Sequence, residues 1–416
     1  ALVKMVPDFD IAICGGGMVG ATLAGLLRNE PDLADLRIAL IEAHMPAQPP
    51  AAGVELRVSA ISRASERILD RAGAWQSLPA TMRCAYQEMR VWDAHNQSDS
   101  ESALHFAASA LGEPNLGYII ANNWLQWAAL DATRHEQVTC FAAELNDIEL
   151  LDEYARIGLQ DGRRFTARLV IGADGASSRS RRCAGIQARI RPYQQTALVT
   201  QVRTGRSHQF TAWQRFMPDG PIAFLPLSDG QSSIVWTTTP EHAAQLLAME
   251  QSALGAAITT ASDHVLGEVN VVSASAAFPL QLAQVDEYCR PRFVLVGDAA
   301  HSIHPLAGQG VNLGLMDAAS LVQVLAEARQ AGATIDALGE RAVLRRYERW
   351  RKTENTAALG LVDALNRLFS NQQPGVGLLR RTGLATLQKL PPVKRSLMLR
   401  ALGLAGEVPS IVRRAG

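Results

Sequence analysis

Gly15, Gly17 and Gly20 follow the short apolar run Asp10–Cys14 at the spacing G-x-G-x-x-G, a pattern suited to holding a pyrophosphate. Gly15 permits a tight turn, Gly17 lets a phosphate approach the backbone, and Gly20 lets the following helix pack closely on the strand. Amides near Met18 and Val19 then point at the phosphates, where the helix dipole favours negative charge. Glu42 lies 22 residues beyond Gly20, at the end of the apolar run Leu36–Ile41. A carboxylate there can take the hydroxyls of an adenosine ribose.

Two further clusters carry chemistry. Ile171 to Gly175 (IGADG), with Ser178 and Arg181 behind it, is a strand running into a turn. Taken alone, Asp174-Gly175 reads as an ordinary turn closing a strand. The longer cluster starts at Gly297-Asp298 after the buried run Phe293–Val296, and continues through His301, His304, Pro305, Gly308, Gly310, Val311 and Asn312 to Asp317. Its loop opens a helix at about Val311, so a second helix N-terminus presents free N–H groups. Such an end can stabilise negative charge on a reduced flavin ring, and Asp298 is placed to bond a ribityl hydroxyl. His301 and His304 have the spacing of a metal pair, but no third ligand is near and a proline follows, so no metal is expected.

The elements that must position these residues are of two kinds. Strand, glycine turn, helix over Val19–Leu27 and a second strand form a βαβ opening, the start of a parallel α/β sheet. Between about Gln194 and Thr239 the pattern changes to alternation, with turn signals at 218–221 and 228–230, and predicts a mostly antiparallel sheet. Its inward faces are expected to include Phe216, Phe224, Leu225 and Trp236, either as a substrate wall or, the simpler reading for each, as structural core. Helices are expected at Asn122–Leu130 and Gly314–Ala331. The fold class is α/β, or α+β overall: a Rossmann-like domain, an antiparallel-sheet domain and a C-terminal helical region.

Composition removes other classes. The 416 residues hold 40 basic and 40 acidic side chains, so no cationic field recruits nucleic acid. The lysines are Lys4, Lys352, Lys389 and Lys394, none in a P-loop setting. Five cysteines without a CxxC pair suit a reducing compartment, and no run of 18 apolar residues occurs, so a cytoplasmic location is expected. Residues 376–416 differ: eight Arg and Lys stand against Glu407, a net +7, interleaved with leucines. A segment of that kind can lie at an anionic bilayer or cover the protein's own core with a solvated basic face.

The three clusters together, in this order, resemble the group A flavoprotein monooxygenases, the para-hydroxybenzoate hydroxylase-like superfamily. Arg57, in Leu56-Arg57-Val58-Ser59-Ala60, matches the arginine that in this family lies beside the flavin. Gly220–Leu227, Ser233–Trp236, Asp363–Ser370 and Leu390–Lys394 are similar to segments of the ubiquinone-biosynthesis hydroxylases. Many relatives carry Arg or Gln where this chain has Asn122 and Asn123, so that flavin contact is shorter or lost here.

The resemblance implies non-covalent FAD held by Gly15, Gly17, Met18, Val19, Gly20, Glu42, Arg57, Asp174, Asp298, Pro305, Gly308, Gly310, Val311 and Asn312. It implies NAD(P)H as a transient co-substrate, O2, and hydroxylation of a lipophilic phenol through a flavin hydroperoxide; no general base is assigned. The expected domains are 1–75, 100–185 and 285–345 for FAD, 76–99 and 186–284 for substrate, and a basic helical region at 346–416. The substrate implied is a polyprenylated phenol of ubiquinone biosynthesis, delivered at the inner membrane or by a biosynthetic complex. A soluble hydroxylase of small phenols and a non-catalytic flavin-binding scaffold are the alternatives. A flavin-dependent halogenase needs a tunnel lysine and a W-x-W-x-I-P segment, and 5–351 holds neither.

Overall fold

The computed structural model describes residues 5–51, 55–100, 103–302, 310–370, 391–401 and 403–413. The strand Phe9–Cys14 is central to a sheet of eight strands among these residues, with parallel neighbours Ile38–Ile41 and Arg164–Gly172. Val138–Phe141 and Phe293–Leu295 extend it on either side, also in parallel. These strands read as continuous apolar runs because both faces are buried. The helices Met18–Asn29 and Gly310–Gln330 pack against each other over this sheet. Gly310–Gln330 is long and apolar enough to cross a membrane by length and composition, but most of it is buried in the core.

Register positions the site. Cys14 pairs with Gly172 and with Ile41, and Gly172 pairs in turn with Leu295. The segments that follow these residues are the glycine turn, Glu42, Ala173–Gly175 and Gly297-Asp298. Clusters far apart in the chain therefore emerge side by side at the carboxyl ends of parallel strands, where ligands of α/β sheets bind.

The second sheet has nine strands among the described residues and is mostly antiparallel. Its long strand Ala188–Thr204 pairs with Ser232–Thr238 on one side and Ala276–Val285 on the other. Helices Pro240–Leu247 and Gln251–Ala261 cover one face, setting Leu246, Leu254 and Ile258 against Leu198, Phe224, Ile234 and Trp236. The substrate-wall reading is corrected here, and the simpler core reading holds. Phe224 and Trp236 belong to that helix-covered core, Phe216 packs with Val91 and Leu104, and Leu225 packs with Ala60, Tyr86 and Ile119. Alternation tells which residues share a face but not which face meets the ligand. The sheet also takes in Leu104–Ala107 and His301–Ser302, beyond the intervals 76–99 and 186–284 read from the sequence.

The described parts of the C-terminal region pack on the core. In the helix Pro391–Ala401, Met398 is buried beside Ala60 and Tyr86, and Lys394 sits 5.6 Å from the centre of the Phe106 ring. Val408 and Val412 join the core of the parallel-sheet unit, and Trp350 Nε1 donates to the Glu407 carbonyl at 2.8 Å. Arg380, Arg381 and Lys389 lie outside the described residues.

Candidate active site

The carboxyl ends of the parallel strands and one face of the antiparallel sheet enclose a cavity of about 810 Å³. At its polar end the backbone does the recognition. Gly15 has φ +104°, and a Cβ there would come within 2.5 Å of the Ala173 carbonyl oxygen, so only glycine makes this turn. Gly17 is the N-cap of Met18–Asn29, and no side chain caps that helix. The first-turn amides at Met18 and Val19, which line the cavity, are thus open to an anion. Gly20 does not line the cavity: a Cβ there would fall 1.9 Å from the Gly15 carbonyl oxygen, so it serves the packing of helix on turn.

Glu42 is held from behind, with Oε2 accepting from the Gly16 amide at 2.8 Å and Oε1 from the His44 amide at 2.9 Å. Each oxygen keeps a lone pair for a ribose hydroxyl. Asp174 lines the cavity too, but its carboxylate accepts from Ser178 Oγ at 2.5 Å and from Ser180 N and Oγ at 2.8 and 2.7 Å. Its side chain shapes the turn, and the cavity side of that turn is backbone. Arg181 ties the turn to the third cluster, donating to the Ala299 carbonyl at 2.8 Å and the Ala176 carbonyl at 3.1 Å.

Asp298 projects into the cavity, open to it but otherwise enclosed, and desolvation raises its carboxyl pKa, with His301 opposing the shift. Gly310 and Val311 line the cavity, whereas Pro305 and Gly308 lie outside the described residues. Asn312 does not reach the cavity with its side chain. Its Nδ2 donates to the Ala60 carbonyl at 2.8 Å and its Oδ1 accepts from the Ser62 amide at 3.0 Å. It fastens the helix start to the strand Val58–Ser62.

Sequence reasoning missed a buried network behind Asp298. Asp317 Oδ2 accepts from the Gly297 amide at 3.0 Å and meets His301 Nε2 at 2.5 Å; its Oδ1 accepts from Arg351 Nε at 2.8 Å and Asn355 Nδ2 at 3.0 Å. Burial alone would raise the Asp317 carboxyl, but the His301 and Arg351 side chains and the Asn355 bond outweigh it and hold the pKa well below the usual range. The Gly297–Ser302 turn is thereby locked to two helices. The signal in sequence was Asp317 itself, an acid inside an apolar helix.

The other end of the cavity is apolar, lined by Val58, Ala197, Val199, Val235, Phe278 and Leu280. Asn122 lines the cavity as well, its Oδ1 accepting from Ser59 Oγ at 2.7 Å, and Arg57 borders it with an exposed side chain.

An uncapped helix start at a glycine turn, the Glu42 carboxylate and the cavity-facing Asp298 fit FAD along the polar end. Its reactive ring would then lie toward the apolar end, where a water-poor cavity can receive an aromatic ring. Taken with the relatives reported next, that arrangement is that of an FAD-dependent monooxygenase of the aromatic-ring hydroxylase class. Residues 8–357 match the model of the FAD binding domain family, and the chain belongs to that family. It is 38% identical over 407 residues to the 3-demethoxyubiquinol 3-hydroxylase of Escherichia coli (strain K12), covering 95% of this chain and 98% of that one. It is 36% identical over 409 residues to the ubiquinone hydroxylase UbiL of Rhodospirillum rubrum, covering 97% and 92%. Among solved structures, the p-nitrophenol 4-monooxygenase PnpA from Pseudomonas putida DLL-E4 shares the fold at a TM-score of 0.73 and 18% identity, covering 94% of this chain and 97% of that one.

Proposed function

We propose that this enzyme hydroxylates the ring of a polyprenylated phenol in ubiquinone biosynthesis, with FAD bound by the residues around the polar end and NAD(P)H as a transient reductant. The observation that carries this reading is the joining of a dinucleotide end and an apolar end in one cavity, in a chain whose relatives named for ubiquinone steps match it over nearly their whole length. When bound, FAD would supply the redox chemistry, with two electrons drawn from NAD(P)H and O2 divided between the ring hydroxyl and water. The chain's own part is to bind the pyrophosphate at Met18–Val19, hold the ribose at Glu42, fix Asp298 beside the ribityl chain, and exclude water with Val199, Val235 and Leu280. One dinucleotide fingerprint occurs, so the nicotinamide has no separate Rossmann domain and visits the FAD site.

For a water-insoluble substrate we infer delivery at the inner membrane or by a biosynthetic complex, with cations of 376–416 as the contact. Deleting the segment would also remove Met398, Val408 and Val412 from the core, so charge removal is the cleaner probe. Exchange of Arg380, Arg381 and Lys389 for Gln is expected to weaken co-sedimentation with anionic liposomes without loss of bound FAD. Unchanged sedimentation contradicts the membrane contact. The function itself is tested by mass spectrometry of quinone intermediates in a deletion strain. An accumulating under-hydroxylated prenylated phenol, cleared by the restored gene, supports the reading; an unchanged quinone pool rejects it.

A further inference from the structure

The antiparallel sheet carries a buried polar group that nothing in the fold accounts for. Val199 and Val235 line the cavity and pair directly across their strands. The register continues from Val235 to Ala223 and from Ala223 to Gln214. Residues opposite one another on neighbouring strands share a face, so Gln214 stands on the cavity side of the sheet. Its chain neighbour Trp213 turns the other way and packs against the helix-covered core. Beyond Gln214 the row passes to Val91, on the strand Glu88–Asp93, and then to Leu104. Gln214 is only 4% exposed, and among the described residues its Oε1 has no hydrogen-bond partner. Ala212 and Phe216, two residues away on the same face, have no side-chain donor to offer it. A buried amide oxygen in apolar surroundings is costly and calls for a donor.

Strand spacing puts Gln214 about 10 Å from Val235, across Ala223. Ala223 has only a methyl group, so the row is lowest between the apolar Val235 and the polar Gln214. A flat ring with a hydroxyl on one edge matches that profile. We propose that Gln214 Oε1 accepts the phenolic O–H of the substrate while the ring lies over Ala223. The bond fixes the rotation of the ring in its own plane, and with it the carbon presented for hydroxylation. Donation by the hydroxyl also enriches the ring in electrons, which transfer of an electrophilic oxygen requires. A neutral amide at this place, where a cation would draw a carboxylate, selects an uncharged phenol. Resting on the phenol hydroxylase reading, this makes Gln214 a specificity-determining residue.

The test titrates FAD-loaded protein with 2-prenylphenol and with its methyl ether, which has no O–H to donate, and follows the flavin absorbance. In the unaltered protein the phenol is expected to bind roughly tenfold more tightly than the ether. Gln214→Met keeps the length of the side chain without the amide, and is expected to lower the phenol to the ether's affinity while leaving the ether's unchanged. Because Oε1 has no partner within the protein, this variant is also expected to unfold at an unchanged or higher denaturant midpoint. A lower midpoint assigns the amide to the fold and overturns the proposal. Ala223→Leu raises the floor of the row and is expected to weaken phenol and ether alike; unchanged affinities for both overturn the proposal. So do equal affinities in the unaltered protein, or a phenol preference that survives Gln214→Met. A preference erased instead by Ser233→Ala, whose buried Oγ is also unpaired on this face, has the same meaning. Each of these leaves the phenol reading intact. A flavin absorbance moved by neither compound in the unaltered protein overturns both.

Discussion

Where the parallel sheet meets the cavity, the lining is main chain shaped by glycines; where the antiparallel sheet meets it, the lining is side chains such as Val199, Val235 and Phe278. The first kind tolerates almost no substitution, because Gly15 and Gly20 lie against backbone. The second kind can change one residue at a time without disturbing the sheet's hydrogen bonds. A cofactor common to many enzymes and a substrate special to each are thus met by a rigid end and a variable end of one cavity.

That contrast can be broken or sharpened by mutation. The largest effect is expected behind the rigid end. Asp317→Ala leaves Arg351 buried without its carboxylate and costs about 3–5 kcal/mol, read by denaturant unfolding, with loss of bound FAD. Because the Asp317 pKa is depressed in the folded state, its stabilisation is complete above the ordinary carboxylate pKa of about 3.9 and is lost as pH falls below it. Asp317→Asn should therefore unfold at a midpoint less dependent on pH in that acidic window.

Gly20→Ala comes next, at about 1–3 kcal/mol, and yields protein with depleted FAD because the turn must move away from the helix. Smaller again is a pair of neighbours on opposite faces of one strand. Ile234→Val, in the helix-covered core, costs about 0.5–1.5 kcal/mol and leaves KM unchanged. Val235→Phe fills the cavity, raises KM for a prenylated phenol and leaves the FAD content as it was. If Ile234→Val raised KM and Val235→Phe did not, the assignment of faces would be reversed. The smallest effect is at Asp298. Asp298→Asn removes the cavity-facing charge and is expected to weaken the hold on FAD slightly, read as FAD content after gel filtration.

The same contrast explains what could be read from the chain. Gly15, Gly17, Gly20 and Glu42 were legible because a backbone turn against phosphate permits few residue types at fixed spacing, and this end of the fold followed from them. The substrate wall was not legible. Phe224 and Trp236 are as apolar as Val199 and Val235, and only the placement of helices Pro240–Leu247 and Gln251–Ala261 decides which of them meets the cavity. Asn312 sat inside a recognisable cluster, yet its side chain is spent on the strand Val58–Ser62, a partner some 250 residues away. Arg351 and Asn355 lie 34 and 38 residues beyond Asp317, on another helix, and no local pattern marks them. The composition of the basic tail suits either a bilayer surface or the protein's own core, and its described parts cover the core through Met398, Val408 and Val412.

The central claim is that FAD along the rigid end delivers oxygen to an aromatic ring held at the variable end. Its most direct test is turnover of a prenylated phenol by the FAD-loaded enzyme with NAD(P)H under isotopically labelled O2, followed by mass spectrometry of the product. The account expects one labelled oxygen atom on the ring, and none when FAD is removed. A hydroxylated product carrying oxygen from water, or formed equally well without FAD, would contradict it.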